Sequence, residues 1–312
     1  MEEKLIEYLK KKPPGLSPMS GICDGPFRRI CRIGGAGLLV APMVAARHLV
    51  RKPTDLPREQ HFAETEHPIG IQIIASGPQE AYQAGMILNN SRYDFIELNA
   101  GCPSRRILAM GCGAALLPKP ELIREILLAI KAGAPEIPLT LKIRLGYRHS
   151  NLTAVDLVRL LEGVPLLWIT LHGRYADQPF TYPADWDAIK QVVDSSPFPI
   201  IGNGGITNPR DAKRMMAHSG TIAVMIGRGA LGRPWVFGKN EEPGWEIKSG
   251  MMHKHWQMQL DEYPPNDAVI KFRKHLIWYS RGHNNACEIR RLVPSIKEPA
   301  QVEDLLEQLD VT

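Results

Sequence analysis

Short apolar runs recur along the first 226 residues, at 16–19, 37–43, 69–75, 95–99, 138–145, 166–172, 199–203 and 223–226. Stretches with helical apolar spacing follow several of them, at 26–33, 78–89, 120–132, 153–162, 184–194 and 209–219. Pro78, Pro120 and Pro209 stand where a first helical turn tolerates a missing N–H. Strand-then-helix units, eight of them along about 230 residues, are the pattern of a (β/α)8 TIM barrel. A doubly wound sheet is the architectural rival, but it supplies no reason for eight units. Ahead of the first run, Leu5, Ile6 and Leu9 predict a short amphipathic helix over 3–10, which Pro13-Pro14-Gly15 ends.

The pattern changes near residue 240. The stretch 240–250 (NEEPGWEIKSG) reads as a polar linker, and helices are predicted over 251–260, 266–279, 285–292 and 301–309. The expected organisation is an α/β barrel over 1–240 and a small helical domain over 241–312.

Polar residues collect at the carboxyl ends of the predicted strands: Met19-Ser20, Gln72, Asn99 to Cys102, Lys142 with Arg144, His172 with Arg174, Asn203, and Gly227-Arg228. That is the end at which barrel enzymes keep their chemistry. Residues two apart in a strand share a face, so Lys142 and Arg144 point together while Leu141 and Ile143 face the helices. A satisfied core polar group explains one such residue but not strand after strand. The fourth run ends in Asn99-Ala100-Gly101-Cys102-Pro103. Gly101 permits a sharp turn and Pro103 biases Cys102 toward an extended backbone. A buried structural cysteine is the bland account of this stretch; an amide three residues from a thiol is also a plausible reaction centre.

Composition changes this picture little. With 44% hydrophobic and 23% charged residues the chain is ordinary for a soluble globular protein. Its net charge of +5 permits an anionic partner without demanding one. The five cysteines form no CxxC pair, which argues for a reducing compartment and against a disulfide framework or zinc site. The first twelve residues mix Glu and Lys and do not form a signal peptide, and no apolar run approaches a membrane span. A cytoplasmic protein without membrane attachment or an obligatory protein partner is expected. His253 and His255 have no third ligand nearby in sequence, so a surface helix is expected there and no metal.

Glycine clusters end the seventh and eighth runs, as Gly202-Asn203-Gly204-Gly205 and Gly227-Arg228-Gly229. Glycines let main-chain N–H groups approach phosphate oxygens, and Arg228 adds a charged donor. An inward Lys142 suits the anionic edge of a reduced flavin, or else pairs with a carboxylate. The Gln72 amide can bond flavin ring edges through both its ends. Together these pieces suit flavin mononucleotide (FMN). In the tail, Lys271, Arg273, Lys274, Arg281, Arg290, Arg291 and Lys297 face one acid, Glu288, with Trp278 and Tyr279 interleaved. Such a patch can follow a phosphate backbone, or it can be a solvated helix face.

At this point the residues resemble a known family. The segments Pro18-Met19-Ser20-Gly21-Ile22-Cys23-Asp24-Gly25-Pro26-Phe27-Arg28, Asn99 to Ser104, Lys142-Ile143-Arg144-Leu145-Gly146, His172-Gly173-Arg174, Asn203-Gly204 and Gly227-Arg228-Gly229 are similar to motifs of the tRNA-dihydrouridine synthases. Arg273-Lys274-His275-Leu276-Ile277-Trp278-Tyr279 is similar to a tail segment of their bacterial B-type branch. The similarity runs from about residue 15 to the end, and the order and spacing of the motifs make it specific. It implies an FMN-bound barrel with a helical tRNA-binding domain, reducing the C5–C6 double bond of a tRNA uridine with NADPH, or NADH, as electron source. It puts the proton-donating cysteine on Cys102 and the uracil contact on Asn99. It puts flavin contacts on Pro18, Met19, Ser20, Gln72, Lys142, His172, Asn203, Gly204, Gly205, Gly227 and Arg228. Further substrate contacts are expected from Arg144, Arg174, Lys271, Arg273 and Lys274. A thiol of ordinary acidity, about 8.5, keeps its proton near neutrality and can serve as the acid. The chain departs from the family pattern at Ala41-Pro42-Met43, at Arg105 and at Gly205. The rival functions are an FMN-dependent reductase of a free pyrimidine or of a ribosomal RNA uridine, and a non-catalytic RNA-binding protein on the same fold.

Overall fold

The computed structural model describes residues 2–11, 14–149, 151, 153–238 and 243–310. Its sheet has eight parallel strands: β1 (Gly15–Leu16), β2 (Leu39–Ala45), β3 (Ile69–Ile74), β4 (Phe95–Asn99), β5 (Leu139–Arg144), β6 (Leu166–His172), β7 (Ile200–Asn203) and β8 (Ala223–Ile226). The order is β1-β8-β7-β6-β5-β4-β3-β2. The Leu16 N–H donates to Leu38 O at 2.8 Å and bridges the two edges, giving a nearly closed barrel. Gly15 makes this approach possible, because a Cβ there would lie 2.9 Å from Leu38 Cβ.

The helices are α1 (Glu2–Lys11), α2 (Gly25–Ile33), α3 (Ala46–Arg51), α4 (Pro78–Leu88), α5 (Arg105–Leu108), α6 (Pro120–Gly133), α7 (Thr153–Leu160), α8 (Trp186–Ser195) and α9 (Pro209–Ser219), then α10 (Trp245–Glu262), α11 (Pro265–Tyr279), α12 (Ala286–Leu292) and α13 (Pro299–Asp310). Local chemistry starts them: Asp24, Asp185 and Asn208 accept N-cap bonds from Phe27, Ala188 and Asp211. The expected barrel elements are present within a few residues. Two short helices, α3 and α5, lie outside the sequence expectation. The expected linker is shorter than its composition suggested, since α10 begins at Trp245 and not at 251; residues 240–242 lie outside the described residues. Among the described residues no helix is long and apolar enough to cross a membrane.

The barrel lumen is layered by the period of two along each strand. At its lower end Phe95 and Trp168 meet edge to face at 4.9 Å, and Leu5 and Leu9 of α1 close the same cluster. Gly70 leaves room for the Phe95 ring, because a Cβ there would fall 2.2 Å from it. Truncating either ring to Ala is worth about 3–5 kcal/mol by the usual cost of aromatic cavities. One step up lie the buried Gln72, Glu97, Thr140 and Thr170. The top layer is Asn99, Lys142, Arg144, His172 and Asn203, adjacent in register from β4 through β7.

The helices after the barrel dock on α2. Phe27 packs in tilted contact with His255 and His275, with centroids 5.8 and 5.2 Å away. His255 is fully buried and meets Tyr279 Oη at 2.9 Å, which corrects its expected place on a surface helix. Polar ties rim this contact: Arg29 to Glu262 at 3.1 Å, Lys271 to Glu59 at 3.2 Å, and Lys274 to the carbonyl of Gly21. The Glu59 loop is itself anchored. The fully buried Arg28 pairs with Glu66 at 2.6 Å and donates to the carbonyls of Cys23, Glu59 and His61.

Candidate active site

The turn after β4 is built around Asn99. Its Oδ1 accepts the N–H groups of Gly101 and Cys102, at 3.0 and 2.9 Å. Its Nδ2 donates to Gln72 Oε1 at 2.8 Å, and Gln72 Nε2 donates to Glu97 Oε1 at 2.6 Å. Thr170 Oγ1 completes the chain at Glu97 Oε2, 3.3 Å away. Arg144 Nε binds Gly101 O at 2.9 Å, and Ala114 N–H binds Cys102 O at 2.9 Å. Gly113 packs under the same carbonyl with φ +62°, a left-handed position where a Cβ would lie 2.6 Å from Cys102 O. Cys102 is thus half-buried on a backbone fixed from several sides. Its fellow cysteines are placed otherwise. Cys23, Cys31 and Cys112 are buried, with burial pushing the Cys23 thiol up to about 12 and the Cys112 thiol up to about 11, while Cys287 is exposed on α12.

Beside this turn stands a set of crowded cations. Lys142 Nζ donates to Asn203 Oδ1 at 3.0 Å, and Asn203 Nδ2 donates to Met225 O at 2.7 Å. Burial, aided by Arg144 and opposed by Glu97, lowers the Lys142 ammonium to about 8. Burial together with Arg174 and Arg228 lowers Arg144 to about 10. His172 is held neutral by burial first and by the four cations around it second, and Arg174 Nη1 lies 3.0 Å from its Nε2. Glu97 is raised by burial, with Lys142 opposing. One buried carboxylate against four cations leaves the mouth short of negative charge. Such a site recovers free energy by binding an anion.

The glycine turns at β7 and β8 complete the arrangement. Gly204 and Gly205 have φ of +116° and +76°, so a side chain at either would be strained, and a Cβ on Gly204 would also lie 2.8 Å from the His172 ring. Among the described residues, the N–H groups of Gly205 and Arg228 meet no backbone carbonyl. A Cβ built on Gly227 would touch only Met19 Sδ and Ser17 Cβ, each at 3.7 Å. Met19 therefore stands beside the β8 turn, with Pro18 next to it and Ser20 exposed on the turn that follows.

Several of the expected contact residues are also bonded within the protein. The amides of Gln72, Asn99 and Asn203 are engaged at both ends within the protein, so they align neighbours and keep one spare N–H each at most. Arg144 and Arg174 brace loops through Tyr175 O and Tyr182 O. The tail cations are engaged in the same way. Lys271 pairs with Glu59, Arg273 donates to Ile296 O at 3.0 Å, and Lys274 reaches Gly21 O. These three bonds tie the helices to each other and to the barrel. Two residues escaped sequence reasoning. Glu97 lies at the inward position between Phe95 and Asn99, where the period of two could have found it. Phe180, in a loop without periodicity, stacks with His172 at 6.1 Å and lies 4.3 Å from the Arg228 guanidinium. Among the described residues no group of three or more His, Cys, Asp and Glu could hold a metal ion.

Comparison with known proteins bears on this site. A family model described as dihydrouridine synthase matches residues 15–311. The chain is 33% identical to tRNA-dihydrouridine synthase B of Proteus vulgaris, over 97% of both chains. It is 36% identical to a probable tRNA-dihydrouridine synthase of Rhizobium leguminosarum bv. phaseoli, over 85% of this chain and 84% of that one. Among solved structures, morphinone reductase aligns at TM-score 0.51 and 12% identity, over 76% of this chain and 88% of its own. Histamine dehydrogenase from Rhizobium sp. 4-9 aligns at TM-score 0.55 and 13% identity, over 87% and 51%. These last two likenesses speak to the fold.

Proposed function

The chain belongs to the dihydrouridine synthase family, and from that premise we propose that its mouth reduces the C5–C6 double bond of a tRNA uridine, with FMN as cofactor and NADPH or NADH as electron source. The residues fit FMN. The unengaged N–H groups of the Gly204-Gly205 and Gly227-Arg228 turns suit its phosphate, and the desolvated Lys142 suits an anionic ring edge. The remaining flavin contacts are assigned to Pro18, Met19, Ser20, Gln72 and His172 by resemblance to the family, and Asn203 holds Lys142 in place. Bound and reduced, FMN supplies the hydride for uracil C6. Cys102 then gives the proton to C5. Asn99, through its two bonds to the turn, aims that thiol, and Arg144 holds Gly101 from the other side. A uridine in a folded RNA must leave its stack to reach this depth. We assign the cofactor and chemistry to residues 1–240 and a tRNA-docking role to 241–312, in the cytoplasm.

The observation that carries the reading is the Cys102 turn itself, a half-buried thiol on a backbone fixed by Asn99, Arg144 and Ala114 beside anion-seeking cations. Free pyrimidines and ribosomal uridines are the less favoured substrates, because the curated relatives bear names of tRNA enzymes. Mass spectrometry of tRNA from a deletion strain tests it. One dihydrouridine should disappear and return with the wild-type gene; an unchanged tRNA profile with a changed ribosomal RNA would overturn the substrate.

A further inference from the structure

A cationic cleft outside the described site has no role in the reading above. Its cavity of about 460 Å³ is lined by Ala45, Arg47, His48, Arg51, Arg106 and Met110. Arg47 and Arg51 belong to α3, which continues directly from β2; Arg106 belongs to α5, which begins three residues after Cys102. Both helices lie at the carboxyl ends of strands, on the rim of the mouth. The lining includes no carboxylate, and among the described residues none of the three arginines is in ion-pair distance of one. The cleft is also continuous with the reaction centre. Ala45 and Met110 pack with Met43 and Cys102 against one small cluster of Ile74, Ile107 and Cys112, and Met43 touches the Asn99 amide at 3.6 Å.

We propose that this cleft binds the phosphodiester backbone of the RNA strand that flanks the everted uridine. The proposal rests on the function argued above and adds where the strand runs. Arginine is the side chain suited to phosphate, carrying a fixed charge and a fork of donors. Arg47 and Arg51, four residues apart, share one helix face and spread their charge over about 5–6 Å. Arg106 stands on the other helix of the cleft. Charge laid out along a trough matches a linear polyanion better than the single 2′-phosphate of NADPH. These arginines also lack the protein partners that occupy Lys271, Arg273 and Lys274, so their charge is available to a ligand.

The test is tRNA binding by Arg47→Ala, Arg51→Ala, Arg106→Ala and the triple variant across a range of salt concentrations, on the FMN-loaded protein. Each lost phosphate contact should make the slope of log K against log salt shallower by about 0.7–0.9. The triple variant should bind tRNA roughly tenfold or more weakly near 0.1 M salt. FMN content and NADPH oxidation by a small acceptor should stay at wild-type levels. Unchanged slopes and affinities overturn the cleft as an RNA path. A raised KM for NADPH with tRNA binding unchanged overturns it too, by assigning the cleft to the nicotinamide donor. The function reading fails separately: it falls if wild-type protein, assayed alongside, forms no dihydrouridine in tRNA.

Discussion

Lysine and arginine crowd two regions of this protein, and the crowding has opposite meanings in them. On α11, Lys271, Arg273 and Lys274 each reach a carboxylate or carbonyl of the protein. At the barrel mouth, burial lowers the proton affinity of Lys142, Arg144, Arg174 and Arg228, neighbouring arginines add to the shift on the first three, and one buried acid, Glu97, lies among them. The first group is spent on docking helices. The second also braces its own loops, on Asn203 and the carbonyls of Gly101, Tyr175, Tyr182 and Phe180, but it crowds like charge around one acid at the mouth. A cation's role is therefore read from its surroundings as well as its partners, because like charges crowded out of water keep a desolvation cost that a bound anion relieves.

The sharpest way to break this contrast is at the thiol the mouth serves. Cys102→Ala should keep FMN, keep NADPH oxidation by a non-RNA acceptor and keep tRNA affinity. It should lose dihydrouridine formation by about 10²–10⁴-fold, the usual worth of a positioned general acid. Single-turnover oxidation of the reduced enzyme by tRNA reads this directly, and equal rates for wild type and variant would move the proton to another group. Cys112→Ala, a buried neighbour, should do far less.

Arg228→Ala tests whether the mouth's cations await an anion. The loss of one charge-assisted phosphate contact should weaken FMN retention by about 1.5–3 kcal/mol, toward the lower figure because Arg228 is partly in solvent. Equilibrium dialysis of FMN measures it, and full occupancy in the variant would remove Arg228 from the phosphate site. Removing a paired tail cation should read out differently. Lys274→Met should lower thermal stability by about 1–3 kcal/mol, discounted for the exposed part of the side chain, yet leave the salt slope of tRNA binding alone. A shallower slope with stability unchanged would return Lys274 to the RNA surface.

The smallest effect is a pH trend in the docking of the tail. Burial holds His255 near 3 and His275 well below the ordinary imidazole value, and neither His275 nitrogen meets a protein partner. The unfolded chain takes up these protons near 6.5 and the folded one does not. The contribution of the two rings to stability is therefore constant above about pH 6.5 and falls as pH drops below it. His275→Leu should flatten that acid limb in melting curves; an unaltered limb would assign the trend to carboxylates instead.

Much of the site was legible before folding was considered. The period of two put Lys142 and Arg144 on one face, and the Gly204-Gly205 turn has the positive φ values that only glycine takes easily. Cys102 could be singled out because it ends a core strand among polar strand ends. The tail was legible only as composition. Its seven cations looked like an RNA patch, yet the partners of three of them come from Glu59, Ile296 and Gly21, and distance along the chain carries no signal of such pairings.

What the sequence determined by itself was the alternation of strands and helices, the end of the barrel that carries chemistry, and the residue types gathered there. These follow from local rules: apolar spacing, turn residues and the carboxyl-end placement of barrel sites. The tertiary structure alone decided which groups remained unengaged. It tied Gln72, Asn99 and Asn203 to their neighbours, hid His255 behind Phe27, and left Arg47, Arg51 and Arg106 along one open cleft. A polar side chain acts on a ligand only with the bonds its own fold leaves unmade, and that remainder is a property of the packed whole.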